Sequence, residues 1–112
     1  MDVIELPRTD KQFRQFIDSQ IDIIGLTTAV DDAQNAYEQA RTQRFDLKRQ
    51  LAEHDAKRPD GYSYEWTKVR YKIVNALLIC IEEIEQSRNA FDKARSALWN
   101  ARCNVIAQLR TP

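Results

Sequence analysis

Glycine and proline are almost missing from this chain: it has two glycines and three prolines in 112 residues, the prolines at 7, 59 and 112. Proline breaks helices and glycine weakens them, so the two long proline-free stretches favour helix. One histidine and two distant cysteines are too few for a zinc tetrad. No Glu-x-x-His pair occurs of the kind that di-iron bundles use. A phosphate-cradling glycine loop is excluded with only Gly25 and Gly61. No cofactor and no metal are expected. Long apolar runs are also absent. The longest, Ile73–Ile81, is interrupted by Asn75 and falls short of the ~18 residues a membrane span needs. The start, Met1 to Pro7, has neither the basic residues nor the apolar stretch of a secretory signal, so a cytoplasmic protein without membrane partners is expected.

Net charge is missing as well, with 17 basic and 17 acidic side chains, and no global attraction to a polyanion follows. The distribution is uneven. Residues 41–72 carry Arg41, Arg44, Lys48, Arg49, Lys57, Arg58, Lys68, Arg70 and Lys72 against Asp46, Glu53, Asp55, Asp60 and Glu65. Residues 15–40 carry no base and five acids, Asp18, Asp22, Asp31, Asp32 and Glu38.

What is abundant is helical periodicity. Thr9-Asp10-Lys11-Gln12 fits a capping box, which places a helix start at Asp10 after an extended lead-in over residues 1–9. From Leu26 the positions Val30, Ala33, Tyr37, Ala40, Leu47 and Leu51 keep alternating four-three spacing, with Arg44 the charged residue in the seam. Gly25 with Thr27-Thr28 interrupts the helix signal and predicts either a kink or break near 25–28 or one continuous helix over 10–57. Lys57-Arg58-Pro59-Asp60-Gly61 is a stop signal, giving a turn over 58–62. A second helix over 63–110 carries the seam Trp66, Ile73, Leu77, Cys80, Ile84, Ser87, Phe91, Ala94, Leu98, Ala101 and Val105. On a continuous helix Cys80 and Cys103 stand roughly 34 Å apart, too far for a disulfide.

Two long helices around a short turn fold back antiparallel, pairing residues whose numbers sum to about 120. Ala40 then meets Cys80, and Asp18, Asp22, Asp31 and Asp32 come opposite Arg102, Lys93, Arg95 and Arg88. The expected fold is all-α: a single domain over 1–112 built as a long antiparallel, coiled-coil-like helical hairpin, or a three-helix arrangement if the first helix breaks.

A hairpin hides one stripe per helix, so a second apolar stripe stays wet unless something covers it. Val74, Leu78 and Ile81 form one such surplus, and Trp99 and Ile106, with Cys103, form another. These residues are the self-association candidates, and pairing of two hairpins into a homodimeric four-helix bundle is expected.

No catalytic constellation is legible. His54, in Glu-His-Asp before the turn, has no nucleophile or orienting partner in a recognisable motif and is read as an exposed histidine favoured by the helix C-terminal dipole. Tyr62, Tyr64 and Trp66, with Arg58 and Arg70 near them, have the aromatic and arginine composition of an interface centre; alternatively Trp66 caps the hairpin core. Arg41, Arg44, Lys48 and Arg49 are the nucleic-acid candidates. Length and a tryptophan near the turn resemble small secreted hairpins that carry Trp-x-Gly there, but Trp66 is followed by Thr67 and Lys68. The sequence therefore favours a non-enzymatic protein–protein interaction module, an inhibitor, adaptor or chaperone. A nucleic-acid-binding regulator comes second and a self-assembling structural subunit third.

Overall fold

The computed structural model describes residues 9–110; apart from Thr9, the expected extended lead-in lies outside them. Three helices follow one another: α1 (Asp10–Ser19), α2 (Ile23–Ala56) and α3 (Tyr64–Arg110). Thr9 caps α1 as its sequence signature predicts, its side chain accepting from the Gln12 N–H at 3.1 Å.

The chain does break early, but at residues 20–22 and not at 25–28. The reason is the capping of α2. Asp22 (φ −76°, ψ 71°) has the dihedrals of an inverse γ-turn, closed by the Ile23 N–H donating to the Ile21 carbonyl at 2.9 Å. Its carboxylate then accepts from the Gly25 N–H at 3.1 Å, which makes Asp22 the N-cap. Gly25 thus belongs to the first turn of α2, where a Cβ would collide with the Asp22 carboxylate folded over it. Thr27 is also helical, its hydroxyl donating back to the Ile23 carbonyl at 2.6 Å.

At the other end, Gly61 takes φ +85°, the left-handed conformation that glycine adopts without steric cost. There the chain turns between α2 and α3. Ser63 opens α3 by accepting from the Trp66 N–H at 3.3 Å.

The hairpin is in the register expected from the sequence. The buried Cys80 thiol donates to the Ala40 carbonyl at 3.1 Å, a contact that needs close helix approach and the small side chain of Ala40. Near the open end, Arg102 grips Asp18 with two hydrogen bonds, at 2.9 and 3.2 Å, and docks α1 on α3. Every residue of the α3 seam from Trp66 to Val105 is buried or half-buried. The other three acidic residues do not form the expected cross-helix pairs. Asp22 is spent as a cap, and Asp31 and Asp32 make no ion pair among the described residues.

The result is a rod of 87 × 21 × 16 Å with a radius of gyration of 24.0 Å, where a compact chain of this length has about 13 Å. Among the described residues only Ile17, Ala40, Cys80 and Val105 are buried, and Cys80 alone is fully enclosed. Accessible surface is 9219 Å², against about 6,400 Å² for a compact monomer of this mass. The two sides of the hairpin differ. One carries a groove lined by Gln39 and Gln43 of α2 and Glu83 and Gln86 of α3, with Val69 and Ile79 exposed along that same face of α3. The opposite side carries the exposed apolar residues Phe45, Tyr71, Leu78, Ile81 and Trp99.

No helix among the described residues is long and apolar enough to cross a membrane. No group of three His, Cys, Asp or Glu side chains among them is placed to hold a metal ion.

Candidate functional site

The turn end divides the five aromatic and arginine candidates into two sets. Trp66 is half-buried and bound to His54 of α2 in both directions. Its indole Nε1–H donates to the His54 carbonyl at 3.0 Å, and the His54 Nε2–H donates to the Trp66 carbonyl at 2.8 Å. The rings stack with centroids 4.7 Å apart and planes 12° from parallel. The His54 carbonyl, in the last turn of α2, also accepts from the Lys57 N–H at 3.1 Å, so in this clasp the indole takes its second lone pair. Arg58 lies over the indole, its guanidinium carbon 5.1 Å from the ring centroid, and Arg70 donates to Asp55 at 2.9 Å.

This geometry corrects one expectation. His54 is not an exposed histidine; it is half-buried and continues the α2 seam beyond Leu47 and Leu51, at the same four-three spacing. Of the five partner candidates, Trp66, Arg58 and Arg70 make contacts within the hairpin, Arg58 while staying exposed, and Tyr62 and Tyr64 are 82% and 63% exposed.

The self-association candidates remain uncovered along α3. Leu78 and Trp99 are 60% and 68% exposed, Ile81 is exposed, and Val74 and Ile106 are half-buried. They lie one residue after successive seam positions, on the face beside the seam. Tyr71, 72% exposed, and Leu109 extend this stripe at both ends. Both escaped the sequence reading, although each continues the spacing of three and four. Phe45 was missed too, because it falls beside the charged seam position Arg44 and outside the α2 apolar periodicity.

The nucleic-acid candidates surround Phe45. Arg41, Arg44 and Lys48 line a shallow open groove with it, and Glu38 shares the groove. Arg41 sits over the Tyr37 ring at 5.5 Å. Arg49 is 3.7 Å from Asp46 on its own helix, leaving the first three as the basic group around an exposed aromatic ring.

Cys80 and Cys103 are both free. Burial pushes the Cys80 thiol above its ordinary pKa, nearby Glu83 adds to this, and Arg44 opposes it. A neutral, enclosed thiol is a packing element and a weak nucleophile. Comparison with known proteins finds no family model, no curated protein and no solved structure that matches the chain.

Proposed function

We propose that this chain is a non-enzymatic protein–protein interaction module, a helical hairpin that pairs with a second copy and holds another protein as inhibitor, adaptor or chaperone. The observation that carries the reading is the apolar side of the rod, where Tyr71, Leu78, Ile81 and Trp99 stay exposed. Covering one large apolar side chain is worth roughly 1.5–3 kcal/mol, a large fraction of a margin of about 5–15 kcal/mol for a whole domain. A stripe of them is a strong reason for association. Tyr62 and Tyr64, exposed at the turn and outside that stripe, are the anchors for the second protein.

The groove of Arg41, Arg44 and Lys48 around Phe45 supports a second reading, binding of nucleic acid by phosphate contacts and base stacking. Glu38 within the groove and zero net charge weigh against it.

One experiment ranks the two. The full-length chain is used to capture host proteins after nuclease treatment, beside titration of labelled RNA and DNA at low and moderate salt. Capture that is lost in Tyr62→Ala/Tyr64→Ala and kept when Arg41, Arg44 and Lys48 are neutralised is the expected result. Salt-sensitive nucleic-acid binding that disappears with those three cations, while capture is indifferent to the tyrosines, reverses the ranking.

A further inference from the structure

The exposed stripe of α3 has an order that specifies its occupant. Its first third is apolar: Tyr71, Val74, Leu78 and Ile81. Its centre is charged with alternating sign: Glu85, Arg88, Asp92 and Arg95, all exposed. Trp99, Arg102, Ile106 and Leu109 complete it. The steps of three and four between these residues read the same in both directions, about a point midway between Arg88 and Asp92. A helix with such a face is complementary to itself when reversed.

From these observations we propose that the hairpin forms a homodimer in which the α3 stripes of two copies lie antiparallel across a twofold axis between Arg88 and Asp92. The inference rests on the reading of the chain as a self-associating hairpin, and it adds the face, the direction and the register. Glu85 then meets Arg95 of the second copy and Arg88 meets Asp92, and twofold symmetry repeats each pair. Outside this charged centre Ile81 covers Trp99, Val74 covers Ile106, and Tyr71 reaches Leu109. Leu78 lies on the aliphatic stem of Arg102, whose guanidinium is already turned to Asp18.

The competing arrangements are worse for definite reasons. A parallel pair sets Glu85 on Glu85 and Arg88 on Arg88, like charges facing along the whole centre. Sliding the antiparallel pair one heptad in one direction puts Ile81 on Asp92 and Leu78 on Arg95, burying charges against aliphatic groups. Sliding it the other way moves Tyr71 and Val74 off Leu109 and Ile106, the apolar residues that cover them, and sets Glu85 opposite Arg102 in competition with Asp18. Charge thus acts as the register device, while the apolar ends supply the affinity.

Size is adequate. From Tyr71 to Leu109 the stripe runs about 57 Å at ~1.5 Å per residue, and a strip of that length and about 10 Å width amounts to about 1,100 Å² over two copies. Specific interfaces need roughly 1,000 Å².

The test uses the full-length chain under reducing conditions, with Glu85→Lys and Arg95→Glu made as separate variants. Both positions are exposed, and circular dichroism checks that helicity is kept. By sedimentation equilibrium, each variant alone should dimerise about tenfold more weakly than the native chain, because two symmetry-related attractions become repulsions. An equimolar mixture of the two variants should recover native affinity as a heterodimer. The lysine introduced in one copy then faces the glutamate introduced in the other, and across the second pair native Arg95 faces native Glu85. Arg88→Glu mixed with Asp92→Lys should behave in the same way. Variants that dimerise as the native chain does, or mixtures that recover nothing, overturn the register while leaving self-association intact. A native chain that stays monomeric overturns the dimer altogether, without bearing on capture of another protein through Tyr62 and Tyr64.

Discussion

Removing the Trp66 side chain tests whether the aromatic cluster at the turn is structural or free for a partner. Trp66→Ala deletes the indole N–H bond to the His54 carbonyl, worth about 1 kcal/mol net. It also deletes the stack on His54, worth about 1 kcal/mol, and part of the apolar burial of a half-exposed side chain, about another 1 kcal/mol. The bond from His54 Nε2 to the Trp66 backbone carbonyl is left in place. The expected loss is therefore about 2–3 kcal/mol, whereas Trp66→Phe, which keeps a ring to stack, should lose about 1 kcal/mol. His54→Ala removes its own donor and the shared stack, so the Trp66/His54 double-mutant cycle should return a coupling of about 1 kcal/mol. Tyr64→Ala, at an exposed position, should stay within about 0.5 kcal/mol of the native chain. Urea denaturation followed by far-ultraviolet circular dichroism measures all of these at a fixed protein concentration. Equal small losses for Trp66→Ala and Tyr64→Ala, or a cycle without coupling, would refute the clasp and return Trp66 to the set of partner anchors.

Two further outcomes are expected. With a thiol reagent on the folded chain, Cys103 should react and Cys80 should not until the protein unfolds, since burial raises the Cys80 thiol's pKa and its position on α3 encloses it. Two equally fast thiols would contradict this, and an intrachain Cys80–Cys103 disulfide would mean that α3 is broken between them. Arg102→Ala should release α1, because a helix of 10 residues is marginal without tertiary support and the part-exposed Asp18 pair is worth about 1 kcal/mol. Amide exchange in α1 should then rise about fivefold while the α2–α3 pairing is unchanged; uniform acceleration along the whole chain would show that α1 is not a separately docked unit.

Much of this architecture is legible in the sequence because the hairpin repeats one physical rule along its length. The four-three seam, Thr9 as a cap and the Pro59–Gly61 stop signal are local patterns, and all three act where they are read. The register follows from them, since a short turn leaves antiparallel helices little freedom, and Ala40 with Cys80 and Asp18 with Arg102 come out opposite one another. The early break was harder to place. Gly25 looks like a helix breaker, but it is the residue over which the Asp22 cap folds, and only the backbone at Asp22 reveals that. His54 belongs to the seam by its spacing after Leu47 and Leu51, whereas its residue type before a turn points to a solvated side chain. The arginines at 58 and 70 read as interface composition because sequence does not tell which cations are consumed by neighbours such as Trp66 and Asp55.

The central claim, that the apolar side of α3 is an interface between copies, is tested most directly by the mass of the native chain and of Ile81→Glu in solution. Sedimentation equilibrium at micromolar concentration should give twice the 13.1 kDa chain mass for the native protein and a shift toward the single chain for Ile81→Glu, with unchanged helicity, because the new carboxylate would be buried against the Trp99 ring of the second copy. A native chain that sediments as a monomer throughout that range, or an Ile81→Glu dimer as stable as the native one, would contradict the account.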